Sequence, residues 1–179
     1  MRHVVIMIHI DIHSNLRSII ENRSIPSGFS TCSYLSELSM SYSKSLYIPY
    51  YECNSESLTI FDMSAFKNIK HISIAGYNFQ YTKRFLLHDL YKLQHITIGF
   101  SSFTQPMNGF GKDESKSFHI LNCESLESIE IGQFSFSDFA GDFELKNLPQ
   151  LQSIQIGITW SDSYNFYYSS FVIQGIDMT

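Results

Sequence analysis

The stretch of sequence that decides the fold is FHILNCESLESIEIGQFSF, residues 118–136. It contains an apolar triplet, Leu126, Ile129 and Ile131, with the spacing L-x-x-I-x-I. The last two members lie two residues apart, so in a short strand they face the same side while the residue between them faces away. The opening F-H-I has the same alternation. The unit therefore predicts two short extended segments, and nothing in it indicates a helix.

The same unit recurs along the chain. Further copies begin at Phe61 (FDMSAFKNIKHISIA), Phe85 (FLLHDLYKLQHITIG), Phe143 (FELKNLPQLQSIQIG) and Phe171 (FVIQGIDMT). A weaker copy is expected upstream, where Cys32, Leu35, Leu38 and Met40 match Cys123, Leu126, Ile129 and Ile131. One such turn cannot bury its own apolar face, whereas stacked turns form a parallel sheet over a continuous core.

The repeat predicts a β-dominated solenoid of about five to six turns, with a parallel β-sheet and little helix. We expect residues 1–57 to form degenerate N-terminal repeats or a cap. Residues 58–179 are expected to form the repeats proper, within one continuous solenoid domain. Because the last copy breaks off within a repeat, this solenoid is expected to be incomplete at its C-terminus.

The triplet resembles the L-x-x-L-x-L signature of leucine-rich repeats. More narrowly, LESIEIGQFSF followed by a Phe-led segment resembles the BspA-like class, which occurs in surface and secreted proteins of bacteria and parasitic protists. The resemblance covers residues 58–179 well and residues 14–57 poorly. It implies a leucine-rich-repeat stack, with adhesion or host interaction as the associated activity, and it is specific for fold rather than function.

Two columns depart from the common leucine-rich repeat. The Asn expected three residues after the triplet is replaced by Tyr77, Ser101, Phe134 and Thr159, so we expect aromatic packing by Phe79, Phe103 and Phe136 to compensate. The residue directly after the triplet is small, and the column reads Ala75, Gly99, Gly132 and Gly157. A recurring small residue predicts a bend or a close backbone approach where the chain leaves the strand.

The composition excludes several functional classes. The 179 residues carry a formal net charge of -5 with no Lys/Arg cluster, which argues against nucleic-acid binding. No run approaches 18 apolar residues, so no membrane span is expected. The three cysteines show no C-x-x-C spacing, which argues against a disulfide framework or a zinc site. Cys32 and Cys123 are expected to be buried, reduced and inert, and Cys53 to lie outside the repeat register and be exposed.

The N-terminal residues 1–10 have a short apolar run, but they lack an A-x-A-like cleavage site. Their alternation is closer to that of a strand. We therefore expect a cytoplasmic location by default, and a cell-surface location if the BspA-like resemblance holds.

The outward-facing strand positions form two rows that are candidates for binding. The first row is predicted as Glu37, His71, His95, Ser128 and Ser153, and the second as Ser39, Ser73, Thr97, Glu130 and Gln155. Both rows are small, polar and almost free of positive charge. This composition suits hydrogen bonding to a protein or glycan, and it is equally typical of a solvated strand.

His71 and His95 are expected to be neighbours in adjacent strands. Two such imidazoles are able to share a metal ion, but zinc requires further ligands that the surrounding sequence does not supply. The pair is therefore interpreted as exposed or structural, and no metal or cofactor is expected.

Three irregular stretches interrupt the repeat, at residues 42–52, 100–116 and 159–170, and all are expected to leave the stack at the same edge. Insertions of this kind are common binding elements. The last stretch is strongly aromatic, and Trp160 and Tyr164 are its candidate contacts. The alternative is that its rings fold down over the open end of the core.

No G-x-S-x-G or H-E-x-x-H motif is present, and Gly109–Lys112 does not match a phosphate-binding loop. The sequence therefore favours a non-catalytic module that recognises a protein or surface glycan. The main alternative is an architectural fragment of a longer repeat protein, able to self-associate through its C-terminal end. A third interpretation, a β-helix enzyme acting on polysaccharide, needs clustered carboxylates, which Glu130 alone does not provide.

Overall fold

The computed structural model describes residue 32 and residues 44–105, 112–159 and 161–176. Regular structure in these ranges consists of ten short strands and no α-helix. The strands are β1 (Ser45–Ile48), β2 (Ile60–Asp62), β3 (His71–Ile74), β4 (Arg84–His88), β5 (His95–Ile98), β6 (Ser117–Leu121), β7 (Ser128–Ile131), β8 (Asp142–Lys146), β9 (Ser153–Ile156) and β10 (Ser170–Gln174).

The strands alternate between two parallel five-stranded sheets. The odd-numbered strands form one sheet in the order β1-β3-β5-β7-β9, called here the Ile sheet. The even-numbered strands form the other, in the order β2-β4-β6-β8-β10, called here the Phe sheet. Each turn of the chain contributes one strand to each sheet, so the chain winds about five times. The predicted β-dominated solenoid is confirmed. Its second sheet is formed by the alternating segment that opens each repeat, such as F-H-I at residues 118–120.

The strand register stacks equivalent residues of successive turns. Ile72 pairs with Ile96, Ile96 with Ile129, and Ile129 with Ile154. The first three of these side chains are at most 1% exposed. Branched aliphatic residues suit this inward position, because they pack well on a pleated surface.

The first strand of the Ile sheet is not where the sequence pattern placed it. Leu46 and Ile48 of β1 pair with Ile72 and Ile74, so the turn preceding β3 uses these residues rather than Leu38 and Met40. The stretch 42–52 was interpreted as irregular, and this is wrong for the part that forms β1. The triplet is hard to recognise here because its first position holds a serine instead of an aliphatic residue.

Two columns of stacked phenylalanine rings fill the core. One column comes from the Phe sheet, where Phe85 and Phe118 stack with ring centroids 4.7 Å apart. The other comes from the corner that follows the Ile sheet and contains Phe79, Phe103, Phe136 and Phe166. The two columns meet edge to face, an arrangement that the ring quadrupole favours. Aromatic packing by the second column was predicted and is confirmed.

A polar ladder lies beside this second column. The backbone nitrogen of Asn78 donates to Ser102 Oγ at 3.1 Å, and that of Ser102 donates to Ser135 Oγ at 3.0 Å. Asn78 Nδ2 donates to the carbonyls of Pro49 and Ala75. A side-chain ladder is therefore present one residue later than the position of Tyr77 and its equivalents, and the interpretation that these residues had displaced it is wrong.

The small-residue column marks a close backbone approach, as predicted. A Cβ added to Gly99 would lie 2.5 Å from the nitrogen of Gly76. A Cβ added to Gly132 would lie 2.6 Å from the nitrogen of Phe100. Successive turns thus touch backbone to backbone at this corner.

The described residues contain one disulfide, between Cys32 and Cys53, with the Cα atoms 5.4 Å apart. The expectation that Cys32 is reduced is wrong, because the solenoid brings it next to Cys53. Cys53 is fully buried and its carbonyl accepts a hydrogen bond from Phe79 N at 2.8 Å. The expectation of an exposed Cys53 outside the register is wrong, because a cysteine replaces phenylalanine as the next member of the aromatic column. Cys123 is buried as predicted, and burial raises the pKa of its thiol to about 11.

A buried ion pair fastens the stretch before β6 to the turn before β8. Lys116 Nζ lies 2.6 Å from Asp138 Oδ2, and the two side chains are 2% and 4% exposed. The ammonium also lies 5.5 Å from the centroid of the Phe139 ring. Such a pair is costly to break, because either charge alone would remain buried.

Candidate functional site

The outward face of the Ile sheet carries both polar rows. The register pairs His71 with His95, His95 with Ser128, and Ser128 with Ser153. The second row runs through Ser73, Thr97, Glu130 and Gln155, of which the last three are exposed. At the other end of these rows stand Ser45 and Tyr47 of β1, opposite His71 and Ser73. They take the positions expected for Glu37 and Ser39, which lie outside the described residues.

The two histidines stack on each other. Their ring centroids are 5.2 Å apart and their planes differ by 9°. His95 Nδ1 lies 2.9 Å from Ser128 Oγ, and its Nε2 lies 4.0 Å from Glu127 Oε2. Partial burial lowers the pKa of His71, and the positive charges of His95 and Lys70 act in the same direction. His71 therefore favours the neutral imidazole, which suits hydrogen bonding better than anion binding.

An aromatic corner borders the second row where the chain leaves each strand of the Ile sheet. It contains Tyr50, Tyr51, Tyr77, Phe100, Phe134 and Tyr164. Four of these rings, from Tyr50, Tyr51, Tyr77 and Phe100, touch in a closed circuit and are called here the four-ring platform. Tyr51 and Tyr77 stack at 4.6 Å, and Tyr77 meets Phe100 edge-on at 4.8 Å. Tyr50 closes the circuit at 6.0 Å from Phe100 and 6.4 Å from Tyr51.

The platform brings together two of the three irregular stretches predicted to share an edge, because Tyr50 belongs to 42–52 and Phe100 begins 100–116. The sequence missed the platform itself. Tyr77 was considered only as a replacement for the asparagine of the common leucine-rich repeat. Tyr50 and Tyr51 were considered only as part of an irregular stretch. The usable signal was the aromatic residue that recurs shortly after the triplet in several turns.

The third stretch supplies a smaller aromatic group. The ring of Tyr164 lies 6.0 Å from Phe134 and 6.0 Å from Tyr167. A shallow depression of about 330 Å³ is lined by Ile156, Asp162, Ser163, Tyr164, Asn165 and Tyr167. Tyr167 is exposed while Phe166 is buried in the core column, so the stretch divides its rings between core and solvent. Trp160 lies outside the described residues.

The outward face of the Phe sheet has a different chemistry, which the sequence argument did not consider. Glu144 accepts a hydrogen bond from Lys146 Nζ at 2.7 Å and lies 3.0 Å from His119 Nδ1. The hydrogen bond from Lys146 lowers the pKa of the Glu144 carboxyl most, and the interaction with His119 lowers it further. These side chains satisfy one another, so this face is best explained as a structural network.

Across 44–105, 112–159 and 161–176, no three His, Cys, Asp or Glu side chains converge as a set of metal ligands. Within the same residues, no helix is long and apolar enough to cross a membrane.

Comparison with known proteins adds no relative. No protein-family profile matches the chain, and no curated protein or solved structure shows significant similarity to it. The fold is a two-sheet parallel β-solenoid with a repeat architecture.

Proposed function

We propose that this chain is a non-catalytic binding module that recognises a protein or a surface glycan through the outward face of the Ile sheet and the aromatic corner beside it. The observation that carries the proposal is the four-ring platform, in which Tyr50, Tyr51 and Phe100 are 51%, 66% and 40% exposed. Exposed apolar groups that lie in contact with one another are typical of interaction sites. The neighbouring rows add hydrogen-bonding side chains, among them Thr97 and Gln155.

The proposal includes membership of the leucine-rich repeats, and of their BspA-like class in particular. It is supported by the L-x-x-I-x-I triplet in the inward columns of the Ile sheet and by the Asn78–Ser102–Ser135 ladder. Adhesion is the activity that this membership would imply. A cell-surface or secreted location fits the Cys32–Cys53 disulfide, since disulfides persist in oxidising compartments.

A binding array tests the proposal. The full chain is applied to immobilised glycans and to extracellular proteins, beside the variants His95→Ala, Thr97→Ala and Trp160→Ala. Arg84→Ala, an exposed position of the Phe sheet, is the matched control. We expect a bound ligand to be retained by Arg84→Ala and weakened by at least one of the other variants. Absence of any ligand, or equal binding by all variants, would contradict the proposal.

One observation favours a second candidate, an architectural segment of a longer repeat stack with no ligand of its own. Ile154 and Ile156 of β9 are 37% and 36% exposed, and Phe171 and Ile173 of β10 are 53% and 51% exposed. The equivalent residues of the inner turns are buried. Such a surface suits a further turn or the end of a second copy. Sedimentation of the chain against Phe171→Ser tests this, because self-association through β9 and β10 should weaken in the variant.

A further inference from the structure

Three of the four platform rings, those of Tyr50, Tyr51 and Phe100, are exposed to solvent, and the ring of Tyr77 is partly buried. The phenylalanines of the two core columns between Phe61 and Phe166 are at most 3% exposed. Tyr91 is also exposed, but no contact with another ring is found for it among the described residues. Among the described residues, exposed rings also meet at Tyr167 and Tyr168, whose centroids lie 4.9 Å apart. The platform groups four rings and borders the second polar row of the Ile sheet.

The surface next to the platform is polar and uncharged. The register places Tyr47, Ser73 and Thr97 side by side on β1, β3 and β5, at the same end of the Ile sheet as the platform. Adjacent strands lie about 4.8 Å apart, so this row runs across the strands along the solenoid axis. A ligand that covers both features needs apolar faces for the rings and many hydroxyl groups for the row.

We propose, on the basis of the binding function above, that the four-ring platform and the row Tyr47–Ser73–Thr97 bind a neutral glycan. The C–H faces of its sugar rings lie against the aromatic side chains. Its hydroxyl groups exchange hydrogen bonds with Ser73, Thr97 and the tyrosine hydroxyls. The chain of sugars runs along the solenoid axis, because that is the direction in which the row and the corner extend.

A peptide fits this surface less well. An extended peptide gains main-chain hydrogen bonds by adding to an open sheet edge. Strands β3 and β5 are paired on both sides, so the face between them offers no such edge. A glycan needs no free main-chain groups, and the paired strands place no limit on it.

Charge argues against polyanions. The net charge of the chain is -5, and the next member of the polar row after Thr97 is the exposed Glu130. A sulfated or sialylated glycan, or a nucleic acid, requires compensating Lys or Arg side chains. The row has none, so the ligand is expected to be uncharged.

The test is affinity electrophoresis and calorimetry of the full chain with soluble neutral polysaccharides: mannan, galactomannan, xyloglucan and a β-1,3-glucan. Heparin is the anionic comparator. The variants are Tyr51→Ala/Tyr77→Ala, which opens the platform, and Thr97→Val, which removes one hydroxyl and preserves the side-chain volume. Tyr91→Ala is the matched control, and circular dichroism verifies the fold of each protein.

We expect at least one neutral polysaccharide to bind, with affinity reduced about tenfold or more in Tyr51→Ala/Tyr77→Ala, reduced in Thr97→Val, and unchanged in Tyr91→Ala. If the double variant does not fold, Thr97→Val decides alone. Equal binding by all folded variants would overturn the proposed site. Binding of heparin or of a protein without any neutral polysaccharide would overturn the glycan assignment and leave the binding function standing. Failure to bind any glycan or protein would overturn both.

Discussion

The rings of Phe103 and Phe136 lie in successive turns of the solenoid with centroids 4.7 Å apart and planes only 5° from parallel. Each ring also meets Phe85 of the other column edge-on. Contacts of this kind, repeated at each turn, hold the two sheets together. The stability of the solenoid should therefore depend strongly on single rings near its centre.

Replacement of Phe136 by alanine tests this dependence. The side chain is fully buried and contacts rings on both columns, so its loss leaves a cavity that short loops and strands cannot close. We expect a destabilisation of about 3–5 kcal/mol, measured by urea unfolding. Tyr91→Ala removes an exposed ring and should change stability by less than about 0.5 kcal/mol. Similar values for the two variants would argue against the stacked columns.

The Lys116–Asp138 pair gives a second prediction. Lys116→Met leaves the Asp138 carboxylate buried without its counter-ion, and we expect a loss of about 3–5 kcal/mol. The double variant Lys116→Met/Asp138→Leu should regain most of it, because no charge is then buried. Lys112→Met is the control, since Lys112 pairs with Glu114 at the surface and such pairs contribute about 0–1 kcal/mol. If Lys116→Met leaves the free energy of unfolding unchanged, the pair is not buried in solution.

The stacked histidines give a prediction about pH. Burial and the neighbouring His95 lower the pKa of His71 in the folded state, so the unfolded chain takes up this proton first as the pH falls. The contribution of His71 to stability is therefore complete above about pH 6.5 and declines below it, towards the folded-state pKa. Proton NMR titration should show His71 titrating below 6.5. His95→Ala should raise that pKa, whereas His88→Ala should leave it unchanged.

Thiol counting tests the Cys32–Cys53 disulfide. In denaturant without reductant, alkylation followed by mass spectrometry should modify one cysteine, Cys123, and reduction should expose all three. Cys32→Ser/Cys53→Ser should lose about 2–4 kcal/mol of stability. Alkylation of three cysteines without reductant would rule the disulfide out.

The sequence predicted the features that depend on alternation within a turn. Ile96 and Ile129 face inward because they occupy the second position of the triplet, and their register follows from equivalent positions in stacked turns. The same reasoning placed His71 beside His95 and Thr97 beside Glu130. These relationships are local in the repeat, so a pattern of residues is enough to specify them.

The features that were missed depend on contacts between turns, and on equivalent positions that hold different residue types in different turns. Cys53 takes the place of a phenylalanine, and β1 begins after a serine where the triplet normally starts. Asn78 and Ser102 form a ladder one residue away from the expected column. Neither the ring contacts of the four-ring platform nor the pairing of Lys116 with Asp138 follows from spacing, because both join segments whose lengths differ from turn to turn.

The Asn78–Ser102–Ser135 ladder has a consequence for how such chains diverge. Each rung needs a side-chain oxygen that accepts from the backbone of the preceding turn and a side-chain hydrogen that is donated to a carbonyl there. Asparagine and serine both supply these groups. The aromatic column similarly accepts a cystine at Cys53. When a position accepts several residue types, repeats with a common ancestor lose detectable sequence similarity before they lose their fold.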